Sequence, residues 1–145
     1  MNDLTQFPPR SPRVRLRGYV IVPRLLDKGR AALAGKLGEY HYNCPLDQRF
    51  FNFVGINPDR LKEQLAAGLG DREIVTWIEA NAAHKHAPWE VEQWSHWQEK
   101  RAPSDTESRE FFNRLHKEAG NDRGDIVTWF ELLDLDDYIS FGGKA

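Results

Sequence analysis

What most constrains this chain is a repeated pairing of helix-start signals with apolar residues at helical spacing. Pro23, Pro45, Pro58 and Pro88 each stand where proline fits the first turn of a helix, because the missing N–H has no helical partner there anyway. Behind Pro23, Leu26, Gly29, Leu33 and Leu37 fall on one face, with Leu25 and Ala32 beside them and Gly38 as the stop. Cys44–Pro45 opens a second helix with Leu46, Phe50 and Phe53/Val54 inward, and Asp47 suits its positive end. Asn57 caps a third carrying Leu61 and Leu65, and Asp71 caps a fourth carrying Ile74, Trp77 and Ile78. Pro88 leads into Val91, Trp94 and Trp97. Ser104 with Glu107 has capping-box spacing before Phe111, Phe112 and Leu115. Asp125 is the expected cap for Ile126, Trp129, Phe130 and Leu133. Strand patterning is weak and confined to Arg17–Val22. The expected fold is all-α, a compact bundle of six or seven helices.

Residues 1–18 break this pattern. They hold Pro8, Pro9, Pro12 and four Arg without apolar periodicity, and read as an extended Arg-rich arm before a helical core at 19–145. At 145 residues the expectation is a single domain. Charge is uneven: eight Lys/Arg against two Asp in residues 1–36, and six acids against two basic residues from Asn121 onward. A basic front and an acidic back are expected to meet within one chain or between copies. The overall charge of −2 disfavours general nucleic-acid binding. One Cys excludes an intrachain disulfide and fits a reducing cytoplasm. No apolar run approaches the roughly 18 residues of a membrane span.

The turn Tyr40-His41-Tyr42-Asn43-Cys44-Pro45-Leu46-Asp47-Gln48-Arg49 is the chemically richest stretch. Tyr40, His41, Tyr42, Cys44, Asp47 and Arg49 are its candidate ligand-binding residues. Cys44 at a helix N-terminus sits where the macrodipole favours a thiolate, and His41 three residues earlier could serve as base. The plainer reading makes Cys44 a small buried hydrophobe and the tyrosines pins for the turn.

Asp134, Asp136 and Asp137 form a candidate acidic or metal-binding element, without the residue order of an EF-hand; a helix end followed by acids explains them more plainly. His84, His86 and His96 lack the spacing of a two-histidine zinc helix. Trp89, Trp94 and Trp97, at helical spacing beside Val91, are expected in the core. Phe50-Phe51-Asn52 then Ile74-Val75-Thr76-Trp77 is echoed by Phe111-Phe112-Asn113 then Ile126-Val127-Thr128-Trp129, at unequal separations. A duplicated helical pair and convergent use of one core solution both account for it, and either places Trp77 and Trp129 against the same core.

Arg10-Ser11-Pro12-Arg13, Gly18-Tyr19, Pro23-Arg24-Leu25-Leu26-Asp27-Lys28 and Gly38-Glu39-Tyr40-His41-Tyr42-Asn43-Cys44-Pro45-Leu46-Asp47 resemble a family of bacterial proteins called domain of unknown function 5069. The resemblance is specific in the first third of the chain and continues toward its end. It implies a free-standing, cytoplasmic bacterial protein. The family has no assigned activity, so no catalytic residue carries over.

The leading expectation is a non-catalytic binding or protein-interaction module, with a homodimer as one option, centred on Tyr40–Arg49. The alternative is a small enzyme with a pocket near His41, Cys44 and Asp47. A third option, nucleic-acid binding through Arg13, Arg15 and Arg17, is disfavoured against docking of the arm on the acidic C-terminal segment. The residues name no cofactor.

Overall fold

The computed structural model describes residues 2–120 and 122–145. Among them, seven helices succeed one another: α1 (Val22–Leu33), α2 (Pro45–Val54), α3 (Pro58–Ala66), α4 (Asp71–Asn81), α5 (Pro88–Lys100), α6 (Thr106–Gly120) and α7 (Trp129–Ser140). The fold is an all-α bundle, as the capping signals and apolar spacing require.

The first helix is the hub, in contact with α2 and α3. Val22, Leu25 and Leu26 are fully buried in a cluster with Phe50 and Val54 of α2, Leu61 of α3, Ile74 and Ile78 of α4, and Phe130 of α7. Gly29 permits the close approach of α3: a Cβ there would lie 2.5 Å from Leu65 Cδ1 and 3.1 Å from Tyr42 Cε1. The predicted stripe overran the helix, however. Leu33 is its last residue and is exposed, and the chain leaves through Ala34 and Gly35 instead of reaching Gly38.

Three helix starts differ from the sequence expectation for a shared reason, local competition among caps: in α4 Gly70 is the cap, its N–H bonded to Glu73 Oε1 at 3.1 Å, and Asp71 is the first helical residue. The first turn of α6 is held by Asp105, whose Oδ1 accepts from the Ser108 N–H at 2.7 Å, and Ser104 is not used. Asp125 is occupied by Arg123 at 2.7 Å. Thr128 caps α7 instead, in a reciprocal box with Glu131: Oγ1 accepts from Glu131 N–H at 3.2 Å and Glu131 Oε1 accepts from Thr128 N–H at 2.8 Å. Ile126 and Val127 therefore precede the helix, whereas Ile74 and Val75 lie within α4.

The echo is thus not a structural repeat, and its tryptophans part company. Trp77 packs on the main cluster, whereas Trp129 packs on a second one built from Phe112, Ile126, Leu132 and Leu135. Of the three tryptophans expected in the core from α5, only Trp94 enters it, stacked at 4.7 Å on Phe53, whose ring also stacks at 3.8 Å with His86. Trp89 and Trp97 are 67% and 57% exposed.

The weak strand at Arg17–Val22 reduces to one bridge, Leu16 to Tyr19, with paired 3.0 Å hydrogen bonds. From this bridge the chain turns tightly into α1. Ile21, fully buried, has φ 77°, a value that crowds a β-branched side chain. Its N–H donates to Pro12 O at 2.9 Å, so packing and the preceding segment hold the strain in place.

Residues 2–18 strap the bundle. Leu4 is buried, and Arg13, Arg15 and Arg17 do not share a side: they pair with Asp134 of α7, Glu99 of α5 and Glu79 of α4. Arg10 reaches Asp27 at 2.9 Å and Asp71 at 2.8 Å, and Arg30 of α1 also meets Asp71 at 2.8 Å. Burial pushes the Asp71 carboxyl up, but the hydrogen bonds from Arg10 and Arg30 outweigh it and hold the pKa below the ordinary 3.8. A carboxyl with a depressed folded pKa contributes stability that is complete above its unfolded pKa and is lost as pH falls through the folded one. Asp71→Asn is therefore expected to lower Tm at pH 7 by about 3 °C, equivalent to about 1 kcal/mol for a pair a third exposed. The gap to wild type should close as pH drops below 3.8. Thermal melts from pH 7 to pH 2.5 check this, and a gap independent of pH would show that Asp71 acts through packing alone. No helix among the described residues is long and apolar enough to cross a membrane.

Candidate functional site

Arg24 and Lys28 lie one helical turn apart on α1, a spacing that puts both on the same face. Both are buried, and each is met by a carboxylate from another helix. Arg24 donates to the two oxygens of Asp137 on α7, at 2.7 and 3.3 Å, and to Arg10 O at 3.3 Å. The Tyr40 hydroxyl donates to the same Asp137 Oδ1 at 2.7 Å, and Arg24 Cζ stands 5.5 Å from the Tyr40 ring centroid. Burial opposes the Arg24 charge, yet the Asp137 carboxylate more than offsets it and holds the guanidinium above its ordinary pKa. Burial, then the bond to Asp137, raises the Tyr40 phenol, which therefore stays a donor across the physiological range.

Lys28 makes the second pair. Its ammonium lies 2.9 Å from Asp47 Oδ1 and donates to Cys44 Sγ at 3.2 Å. Asp47 is fully buried, and its Oδ2 accepts from the Asn43 N–H at 3.0 Å. That bond fixes Asn43 at φ 61°, the left-handed residue that turns the chain into α2, with Cys44 extended at the N-cap. Asp47 thus ties the turn to α1 and does not itself face solvent.

Above these pairs opens a cleft of about 520 Å³ between α1, the Gly38–Cys44 turn and the end of α7. Leu4, Leu46, Leu133 and Phe141 supply apolar wall; Arg24, Lys28, Tyr40, His41, Cys44 and Asp136 supply the polar groups. Partial burial, then the neighbouring Asp137, raises the Asp136 carboxyl pKa. A carboxyl kept on a cleft wall against its own ionisation is a common feature of binding sites.

Of the candidate residues, then, Tyr40, His41 and Cys44 line one cleft, and Asp47 lies beneath it. The other two lie elsewhere. Tyr42 turns into the core, its ring edge-on to Phe51 and its hydroxyl bonded to Pro58 O at 2.7 Å; burial raises its pKa. Arg49 faces away toward α5, with Nε bonded to Gln98 Oε1 at 2.9 Å. His41 is exposed at the rim and makes no side-chain hydrogen bond among the described residues.

The acidic candidates also separate, because neighbouring positions on a helix point in different directions. Asp134 accepts from Ser11 and Arg13, Asp137 is held by Arg24 and Tyr40, and Asp136 faces the cleft. Among the described residues no three His, Cys, Asp or Glu side chains gather as a metal site.

Arg24 and Lys28 are absent from the candidates that the sequence suggests. Part of their signal is nonetheless present in it, two cations four apart on one face of a helix rich in Leu and Ala; that this face is buried follows from packing.

No curated protein matches the chain. The profile of one family does, over residues 6–139, which takes in every element from the arm to the last turn of α7. The chain belongs to that family, described as Domain of unknown function (DUF5069).

Proposed function

We propose that this protein is a non-catalytic binding module that holds a small molecule in the cleft above Arg24 and Lys28. The observation that carries this reading is the cleft's construction, apolar walls converging on a few polar groups already fixed by buried ion pairs. Tyr40 offers its phenol ring edge, Asp136 an acceptor and Lys28 a positive charge, a set suited to a compact polar ligand with an apolar portion. The free Cys44 supports a reducing cytoplasmic setting, and the family resemblance a bacterial one. Engagement of the arm's guanidiniums by carboxylates supports the view that nucleic acid is not the partner. A homodimer remains compatible with the same cleft, which is formed within one chain.

The test is native mass spectrometry of the protein as purified, against a denatured control and a Leu133→Trp variant that narrows the cleft. A stoichiometric adduct lost in both controls is expected. A bare wild-type protein whose melting temperature no metabolite fraction raises would overturn the reading. The Lys28–Cys44 contact favours one second reading, a small thiol enzyme at the same cleft. It requires rapid alkylation of Cys44 in the native protein; labelling that waits for denaturation excludes it.

A further inference from the structure

Thirteen arginines are distributed unevenly between partnered and solvated positions. Seven of them contact carboxylates: Arg10, Arg13, Arg15, Arg17, Arg24, Arg30 and Arg123. Arg60, Arg72, Arg109 and Arg114 have no carboxylate among the described residues and stand at the surface, where water suffices. Arg49 and Arg101 fit neither group. Both are partly buried, and neither has a carboxylate partner among the described residues.

The two share one location. Arg49 Cζ lies 5.3 Å and Arg101 Cζ 5.8 Å from the centroid of the same indole, Trp97. Burial, then the charge of Arg49, lowers the pKa of Arg101 to about 10. Two cations are thus held against one another and against partial desolvation, an arrangement that costs free energy unless an anion completes it. The placement is also built. Gln98, 2% exposed, fixes Arg49 through its Oε1, and the Arg101 carbonyl accepts from Trp129 N–H at 3.0 Å, which anchors the loop to α7. Between them is a cleft of about 440 Å³, to which Lys100 adds a third positive charge. Its one acid, Asp105, is committed to the first turn of α6.

We propose that this second cleft, at the junction of α2, α5, α6 and α7, binds the phosphate group of a small molecule between Arg49 and Arg101. Guanidinium forks match phosphate oxygens in pairs, and the Arg101 side chain spends none of its donors within the described protein. Phosphate is preferred over carboxylate because three cations face the space and a dianion neutralises more of their repulsion. The site stands apart from the cleft at Arg24 and Lys28 and does not depend on it.

The probes are inorganic phosphate and pyrophosphate, titrated into the full chain by calorimetry, with the arginine Nε–H NMR signals followed in parallel. Wild type is expected to bind pyrophosphate more tightly than phosphate, with shifts in the Arg49 and Arg101 signals. Arg101→Met should weaken binding at least tenfold, the effect of losing a charged hydrogen bond. It should leave Tm unchanged or raised, since it relieves an unpaired charge. Gln98→Leu, which frees Arg49, should also weaken binding, to a smaller degree. Absence of signal shifts at millimolar pyrophosphate, or binding that survives Arg49→Met and Arg101→Met together, would overturn the proposal.

Discussion

Arg24→Met is expected to destabilise the fold by about 3–5 kcal/mol, because it strands a buried carboxylate. Arg24 and Asp137 expose only 4% and 9% of their side chains, and the guanidinium makes both of Asp137's charged contacts. After the substitution only the Tyr40 phenol would face that carboxylate. Asp137→Leu is expected to cost a similar amount, since among the described residues it leaves Arg24 with one hydrogen bond, to a backbone carbonyl at 3.3 Å, and no carboxylate in contact.

The double variant Arg24→Met, Asp137→Leu should be more stable than either single one. A buried pair replaced by apolar groups of similar size often costs little, and here the residual loss is the orphaned Tyr40 hydroxyl, about 1 kcal/mol. Urea unfolding of the four proteins checks the cycle. Additive losses would show that the two side chains do not act as a pair. The coupling also bears on the cleft, because the Tyr40 hydroxyl is held by Asp137, so Asp137→Leu should loosen the wall on which ligand binding depends.

Much of this architecture was legible in the sequence because helix signals are local. Pro45, Asn57 and Pro88 announce α2, α3 and α5 within a residue, through effects confined to one turn. Asp125 and Ser104 failed where two neighbours could each serve as cap, and the choice depended on which was already bonded. Trp89 and Trp97 failed differently. Helical spacing fixes which residues share a face but not how wide a face the partner helices cover, and α5 buries a narrow one through Val91, Ser95 and Gln98.

Composition marked the Tyr40–Arg49 turn as rich without indicating where its side chains go. Contiguous residues entering a helix fan out, so Tyr42 and Arg49 leave the cleft that Tyr40, His41 and Cys44 line. The cations that organise that cleft come from α1, some sixteen residues earlier in the chain; Lys28 meets Asp47 of α2, whereas Arg24 meets Asp137 of α7, 113 positions on. Such pairings across more than a hundred positions are set by packing, which no local pattern encodes.

Lys28→Met is expected to cost about 3–5 kcal/mol as well, but with a second signature that separates the two buried pairs. Asp47 is fully buried and, among the described residues, its Oδ1 is met by the Lys28 ammonium alone, so the methionine leaves that oxygen without a partner there. Oδ2 keeps the Asn43 N–H, and so the turn should retain its shape in the fraction that stays folded. Cys44 is where the variants diverge. Lys28 donates to its sulfur at 3.2 Å and so covers one side of it, whereas Arg24 makes no contact with it.

Iodoacetamide labelling under native conditions should therefore be no slower in the folded fraction of Lys28→Met than in wild type, measured at a urea concentration where both proteins remain folded. Arg24→Met should label at the wild-type rate once its own loss of stability is taken into account. A slower rate in Lys28→Met would show that the ammonium activates the sulfur and would favour the thiol enzyme. An equal or faster rate leaves Cys44 as a wall residue of the cleft, the arrangement that a binding module requires and a thiol enzyme does not.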